Sequence, residues 1–153
     1  MTMIDLTISK LEREHLEALA ELEKICFSTQ AWSYKSLEEE LTNPTAYFFT
    51  ALVSGEVAGY IGMYIVCENC YVTNVAVFPQ YRRQGIARAL IKMAMLTADA
   101  METDFISLEV RPSNEAAIAL YKSFGFEQNG LRKNYYKNPN EDALIMTKFF
   151  KRE

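Results

Sequence analysis

With 153 residues, half of them hydrophobic and 24% charged, the chain has the length of one domain, expected over 1–153, and enough apolar material for a sizeable core. No apolar run approaches the ~20 residues of a membrane span, and a formal charge of -4 argues against the broad basic footprint of nucleic-acid binding. Such a chain would sooner attract a cationic partner, for example a basic peptide. Asp5 and alternating residues stand where a signal peptide needs a basic start and an apolar block, so a soluble cytoplasmic protein is expected. Its three cysteines, Cys26, Cys67 and Cys70, are then thiols.

Met3 to Ser9 alternates Ile4, Leu6 and Ile8 as a half-buried strand does. Leu11 to Phe27 sets Leu16, Leu19, Leu22 and Cys26 on one helical face and its glutamates on the other, which leaves His15 at the surface or boundary. Ser33 is placed to cap a short helix that Asn43-Pro44 must end. Tyr47 to Val53, Val57 to Val66 and Cys70 to Val77 read as an antiparallel meander, with Gly59 and Gly62 marking a bulge or a close neighbour. Cys67 and Cys70 have C-x-x-C spacing, yet they fall between two strands and the sole His15 and Cys26 do not readily complete a zinc site, so a hairpin with two incidental cysteines is expected over a redox or metal pair.

The stretch from Asn74 to Leu96 organises the rest. An apolar strand breaks at Phe78-Pro79, and apolar residues resume at helical spacing from Ile86. Between them, Gly85 allows close backbone approach, and Arg82 and Arg83 add charge beside a helix N-terminus with unpaired N–H groups. The combination suits a phosphate or pyrophosphate, although a basic turn opening an ordinary helix has the same residues. After this helix, Phe105 to Val110 must run parallel to Cys70–Val77, since a helix crosses between them. Ser113-Asn114 caps a second helix that Gly125 ends, and Phe126 to Tyr136 with Ala143 to Phe150 close the chain as a hairpin. The order is β-α-α-β-β-β-α-β-α-β-β, an α/β chain with a mixed sheet. Ligands in such sheets favour the carboxyl ends of parallel strands, where Val77 and Glu109 both lie.

The loop resembles the acetyl-CoA loop of the GNAT superfamily of N-acetyltransferases (Arg or Gln, two residues, Gly, any residue, Gly or Ala), matched by Arg82, Gly85 and Ala87. Leu108-Glu109-Val110-Arg111-Pro112-Ser113-Asn114, then Leu120-Tyr121, Gly125-Phe126, Tyr135-Tyr136 and Glu141-Asp142-Ala143, resemble the RimI-type ribosomal-protein N-terminal alanine acetyltransferases. That likeness implies a GNAT-like acyl-CoA N-acyltransferase fold and direct transfer of acetyl from acetyl-CoA to a protein N-terminus, without a metal. It implies that Val75, Ala76 and Val77 line the thioester arm through their backbones, and that N–H groups of Arg82, Arg83, Gln84, Gly85, Ile86, Ala87 and Arg88 hold the pyrophosphate. Glu109 would be the general base and Tyr121 the general acid, Asn114 would touch the cofactor, and Tyr135 and Tyr136 would grip the peptide. Each has a plainer role as well: Glu109 as a solvated carboxylate paired with Arg111, Tyr121 as a core aromatic, Asn114 as an N-cap, and Trp32 as a packing residue. Competing functions are a GNAT enzyme of lysines or small amines and a non-catalytic acyl-CoA-binding module.

Overall fold

In the computed structural model, which describes residues 4–151, the elements follow the expected order around one mixed sheet. Met3, expected to open the first strand, lies outside the described residues. The N-terminal half of the sheet is built from β1 (Leu6–Lys10), β2 (Ala46–Val53), β3 (Glu56–Val66) and β4 (Asn69–Val77). The C-terminal half adds β5 (Phe105–Val110), β6 (Glu127–Tyr136) and β7 (Glu141–Phe149), in the spatial order β1-β2-β3-β4-β5-β7-β6. Every neighbouring pair is antiparallel except β4 and β5.

Helices α3 (Ile86–Ala100) and α4 (Glu115–Ser123) cover one face, where Leu90, Ile91, Ala94 and Ala98 are fully buried. On the other face, α1 (Leu16–Phe27) and α2 (Tyr34–Glu39) press Leu16, Leu19, Leu22 and Leu37 onto Phe48 and Tyr60. Each fully buried leucine contributes about 1.5–3 kcal/mol of transfer free energy. The Ser33 hydroxyl accepts from the Ser36 N–H at 3.1 Å, the expected cap. Helix α2 stops at Glu39, ahead of the Asn43-Pro44 step, because Asn43 builds a turn of its own by accepting from both donors of Thr45.

The N-terminal helix corrects three expectations. A 3-10 turn at Arg13–His15 precedes α1, so the helical phase begins at Leu16 and not at Leu11. This rotates His15 inward, to 3% exposure, where its Nδ1 accepts the Glu12 N–H at 3.1 Å. Glu23, assigned to the polar face, is 1% exposed.

The glycines of β3 sit at two register shifts, as expected of a bulge. A Cβ on Gly59 would stand 2.5 Å from the Ala76 carbonyl oxygen, and one on Gly62 would meet the Phe48 ring at the same distance. Opposite Gly62, β4 carries one extra residue, Thr73, since Gly62 faces Asn74 and Met63 faces Val72. The bulge reverses the alternation of β4: Val72, Val75 and Val77 all face α3, and Asn74 and Ala76 turn toward α1.

Candidate active site

Strands β4 and β5 pair only from Asn69 to Tyr71 against Phe105 to Ser107. Beyond those residues they diverge, and the β5-facing edge of β4 at Val75, Ala76 and Val77 is left without a strand partner. The loop after this edge leads into α3. Its N-cap Gly85 has φ +79°, and no side chain caps the helix. The first bond across the turn runs from the Ala89 N–H to the Gly85 carbonyl at 3.0 Å, so the N–H groups of Ile86, Ala87 and Arg88 have no helical acceptor. A Cβ on Gly85 would meet nothing within 4 Å; the left-handed backbone, not crowding, is what calls for glycine there. Arg83 shares that conformation at φ +63°. A pocket of about 210 Å³ opens here on the α3 side, lined by Val77, Arg82, Arg83 and residues 85–88. The side chains of the loop do not all face it. Arg82 folds back, its Nε donating to the Val77 carbonyl at 3.1 Å and its Nη2 lying 3.6 Å from the Cys26 thiol. The Gln84 amide returns to the Gln80 carbonyl at 3.3 Å.

On the opposite face, beside α1, lies a cleft of about 1120 Å³ that reaches Asn74, Glu109, Asn114, Tyr135 and Tyr136. Glu109 sits on its floor. Its Oε1 forms an ion pair with Arg132 Nε at 3.1 Å, and its Oε2 is shielded from solvent with no hydrogen-bond partner among the described residues. The partner is thus Arg132, across β7 on β6, and not the Arg111 read from the sequence. Strand β5 ends at Val110, which frees Arg111 to swing to the β6–β7 turn. There its fork donates to the Lys137 and Pro139 carbonyls at 2.9 and 2.8 Å, and it meets Glu141 at 3.3 Å and the Tyr136 ring at 4.4 Å. Glu141 also accepts from Ser113 N–H and Oγ, and these bonds hold its carboxyl below the ordinary range. From the tip of the turn, Asn138 donates to Thr29 at 3.1 Å, joining the two walls of the cleft.

Asn114 caps α4 by accepting the Ala117 N–H at 3.2 Å and still lines the cleft, so its plain role and its exposure to a ligand coexist. Tyr121 is buried against Phe126 with ring centroids 5.8 Å apart, and burial pushes its phenol up to about 12. Tyr135 and Tyr136 pack edge to face at 5.1 Å. Burial raises both phenols, and the Glu109 charge adds to it. Glu23, expected on the polar face of α1, belongs to the wall of the cleft. Its carboxylate accepts from the Trp32 N–H at 2.9 Å and the Tyr60 hydroxyl at 2.8 Å, securing the α1 wall, and burial raises its pKa. The only hint was its place next to Leu22, at the border of the apolar stripe. In the β3–β4 turn Cys67 is exposed, whereas Cys70 is buried, its thiol pushed up to about 12 by that burial; such a thiol is a poor nucleophile.

Two separate pockets thus open on opposite faces of the sheet, one at the loop that follows the unpaired edge of β4 and one over Glu109 on β5. Residues 16–126 match the acetyltransferase (GNAT) family, and the chain belongs to that family of N-acetyltransferases. It is 38% identical, over 91% of its length and 92% of the relative's, to a Bacillus subtilis (strain 168) protein provisionally described as a ribosomal protein bS18-alanine N-acetyltransferase. With the ribosomal protein bS18-alanine N-acetyltransferase of Escherichia coli (strain K12) it shares 35% identity, over 92% of this chain and 95% of that one. The crystal structure of the ribosomal-protein-S18-alanine N-acetyltransferase from Escherichia coli superposes with a TM-score of 0.87 at 33% identity, covering 97% of this chain and 96% of that chain.

Proposed function

We propose that this N-acetyltransferase transfers acetyl from acetyl-CoA to the α-amino group of a protein N-terminus, with the alanine of a ribosomal protein as the first candidate. The observation that carries the reading is the bare Oε2 of Glu109 at the divergence of β4 and β5. A solvent-shielded carboxylate oxygen without a donor costs about 1–3 kcal/mol or more, which an incoming ammonium would offset.

Bound acetyl-CoA supplies a thioester carbonyl as electrophile. The unpaired N–H groups at the start of α3, with its dipole, suit the pyrophosphate, and the open edge of β4 suits the amides of the pantetheine arm. Glu109 takes a proton from the ammonium, directly or through water, and the freed nitrogen attacks the carbonyl carbon. As the C–N bond forms and the C–S bond breaks, Tyr121 donates a hydrogen bond to the leaving sulfur. Its value of about 12 stands roughly 3.5 above the ordinary thiol at ~8.5, a gap of about 5 kcal/mol against complete proton transfer. Tyr121 therefore stays protonated and hydrogen-bonds the sulfur, while the second amine proton passes to the thiolate and coenzyme A leaves as the thiol. An α-amine at about 7.7–8.0 is roughly a tenth neutral at pH 7, whereas a lysine near 10.4 is well under 0.1% neutral, so the N-terminus asks less of the base. Tyr135 and Tyr136 hold the peptide beside Glu109, and Asn114 lines that same cleft and not the loop pocket assigned to the pyrophosphate.

The test is mass spectrometry of Ala-initiated peptides incubated with the protein and acetyl-CoA. Acetyl on the α-amine is the expected product. Acetyl only on internal lysines, or none at all, overturns the reading.

A further inference from the structure

The floor of the cleft is ordered in rungs. In the β5–β7 register Glu109 faces Ile145, Ser107 faces Thr147, and Phe105 faces Phe149, all on the side away from α3. The middle rung is polar and internally bonded: Ser107 Oγ and Thr147 Oγ1 are 2.9 Å apart, and Thr147 Oγ1 lies 2.9 Å from Asn129 Oδ1. The last rung is aromatic. Tyr71, Phe105 and Phe149 stack edge to face across three strands, with centroids 5.6 and 5.9 Å apart. Tyr71 is 45% and Phe149 64% exposed. Two exposed aromatic rings flanking a half-buried third mark a contact surface, and this one is continuous with the cleft that holds Glu109.

We propose that the Tyr71–Phe105–Phe149 ladder is a docking subsite for an apolar, preferably aromatic, side chain at the fourth or fifth position of the substrate polypeptide, counted from the acetylated residue. This rests on the N-terminal acetyltransferase reading. The spacing follows from strand geometry. Phe105 and Glu109 are four residues apart on one strand, about 13 Å at ~3.3 Å per residue. An extended peptide with its amine at Glu109 advances at the same rate, so its fourth or fifth residue comes over the ladder. Between those points its polar backbone passes over Ser107, Thr147 and Asn129, which can exchange hydrogen bonds with it, and the apolar rung meets only a side chain that prefers to leave water. The ladder thus adds selectivity for the sequence after the first residue, which the chemistry at Glu109 does not read.

The experiment is a panel of Ala-initiated octapeptides carrying Phe in turn at positions 3 to 6 of an otherwise Ser and Gly sequence, assayed for thiol release with acetyl-CoA. The parent protein is compared with Phe149→Ser and Tyr71→Ser. Both residues are exposed, so melting temperatures should stay close to the parent's and certify the fold. The expected result is a KM about tenfold lower for Phe at position 4 or 5 than for Ser, and a ratio that collapses toward one in both variants. A flat profile across positions, or a preference that survives both substitutions, overturns the subsite while turnover on the panel upholds the acetyltransferase reading. Absence of turnover on every peptide overturns that reading and the subsite with it. Sedimentation at the assay concentration covers the other occupant: a dimer of the parent that Phe149→Ser dissolves would assign the ladder to a second copy of this chain and overturn the proposal.

Discussion

Glu109 has one oxygen engaged by Arg132 and the other bare, and the two atoms predict different things. Glu109→Gln keeps the shape and an acceptor but cannot take a proton. We expect kcat to fall by about 10²-fold or more at neutral pH with acetyl-CoA affinity nearly intact; an unchanged rate would remove Glu109 from the chemistry. Tyr121, pushed up to about 12 by burial, stays protonated throughout the working range. Tyr121→Phe should therefore lower kcat by about tenfold at every pH from 7 to 10 and leave the shape of the profile intact; a variant that differs from the parent only on the alkaline limb would contradict this. Both side chains were legible as candidates because they sit in local sequence patterns. Arg132 was not, since its approach to Glu109 depends on two irregularities in the β6–β7 register, after Gln128 and after Arg132, that no spacing within β6 announces. Glu23 was misread for a similar reason: its partners, Tyr60 and the Trp32 backbone, come from elsewhere in the chain.

Among the elements, the β6–β7 turn is held from outside by Arg111, Glu141 and Ser113. The Ser113 bonds, with Arg111 beside them, hold the Glu141 carboxyl below its ordinary range, so the fold favours its charged form. The contribution is complete above the ordinary carboxylate value of about 4.3 and is lost as pH falls through the lower folded value. Amide exchange at Lys137 and Asn138 should consequently quicken in acid, below about pH 4, before the strands themselves open. Exchange that rises in step with β2 and β3 would show the turn to be no looser than the sheet. At this scale the sequence was informative. Most of the eleven elements begin and end close to where periodicity and turn residues put them, because Gly55, Gly85, Gly125 and Ser33 act through their own backbone or nearest neighbours. The exceptions are β1, which starts only at Leu6, α2, which stops at Glu39 well short of Pro44, and the start of α1, where a 3-10 turn and an α-helical turn share the same apolar spacing over three residues. The extra residue of β4 was hidden as well: the glycine that accommodates it lies on β3.

For the molecule as a whole, one buried acid gives stability a pH dependence of opposite sign. Burial raises the pKa of Glu23, so folding favours its protonated form; that stabilisation is complete below the ordinary value of about 4.3 and is lost as pH rises through the raised one. Glu23→Gln stays neutral and retains an acceptor, and its melting temperature should vary less than the parent's from pH 4.5 to 7. Parallel curves for the two proteins would discard Glu23 as the source. The splitting of β4 from β5 has a consequence for traffic. The loop pocket opens on the α3 side and the cleft on the α1 side, so in the proposed reaction the spent coenzyme would withdraw through one mouth and the newly blocked chain end through the other. Neither product would then have to wait for its neighbour to clear the way, and a polypeptide tethered to something large would be served from one side while the nucleotide is exchanged at the back.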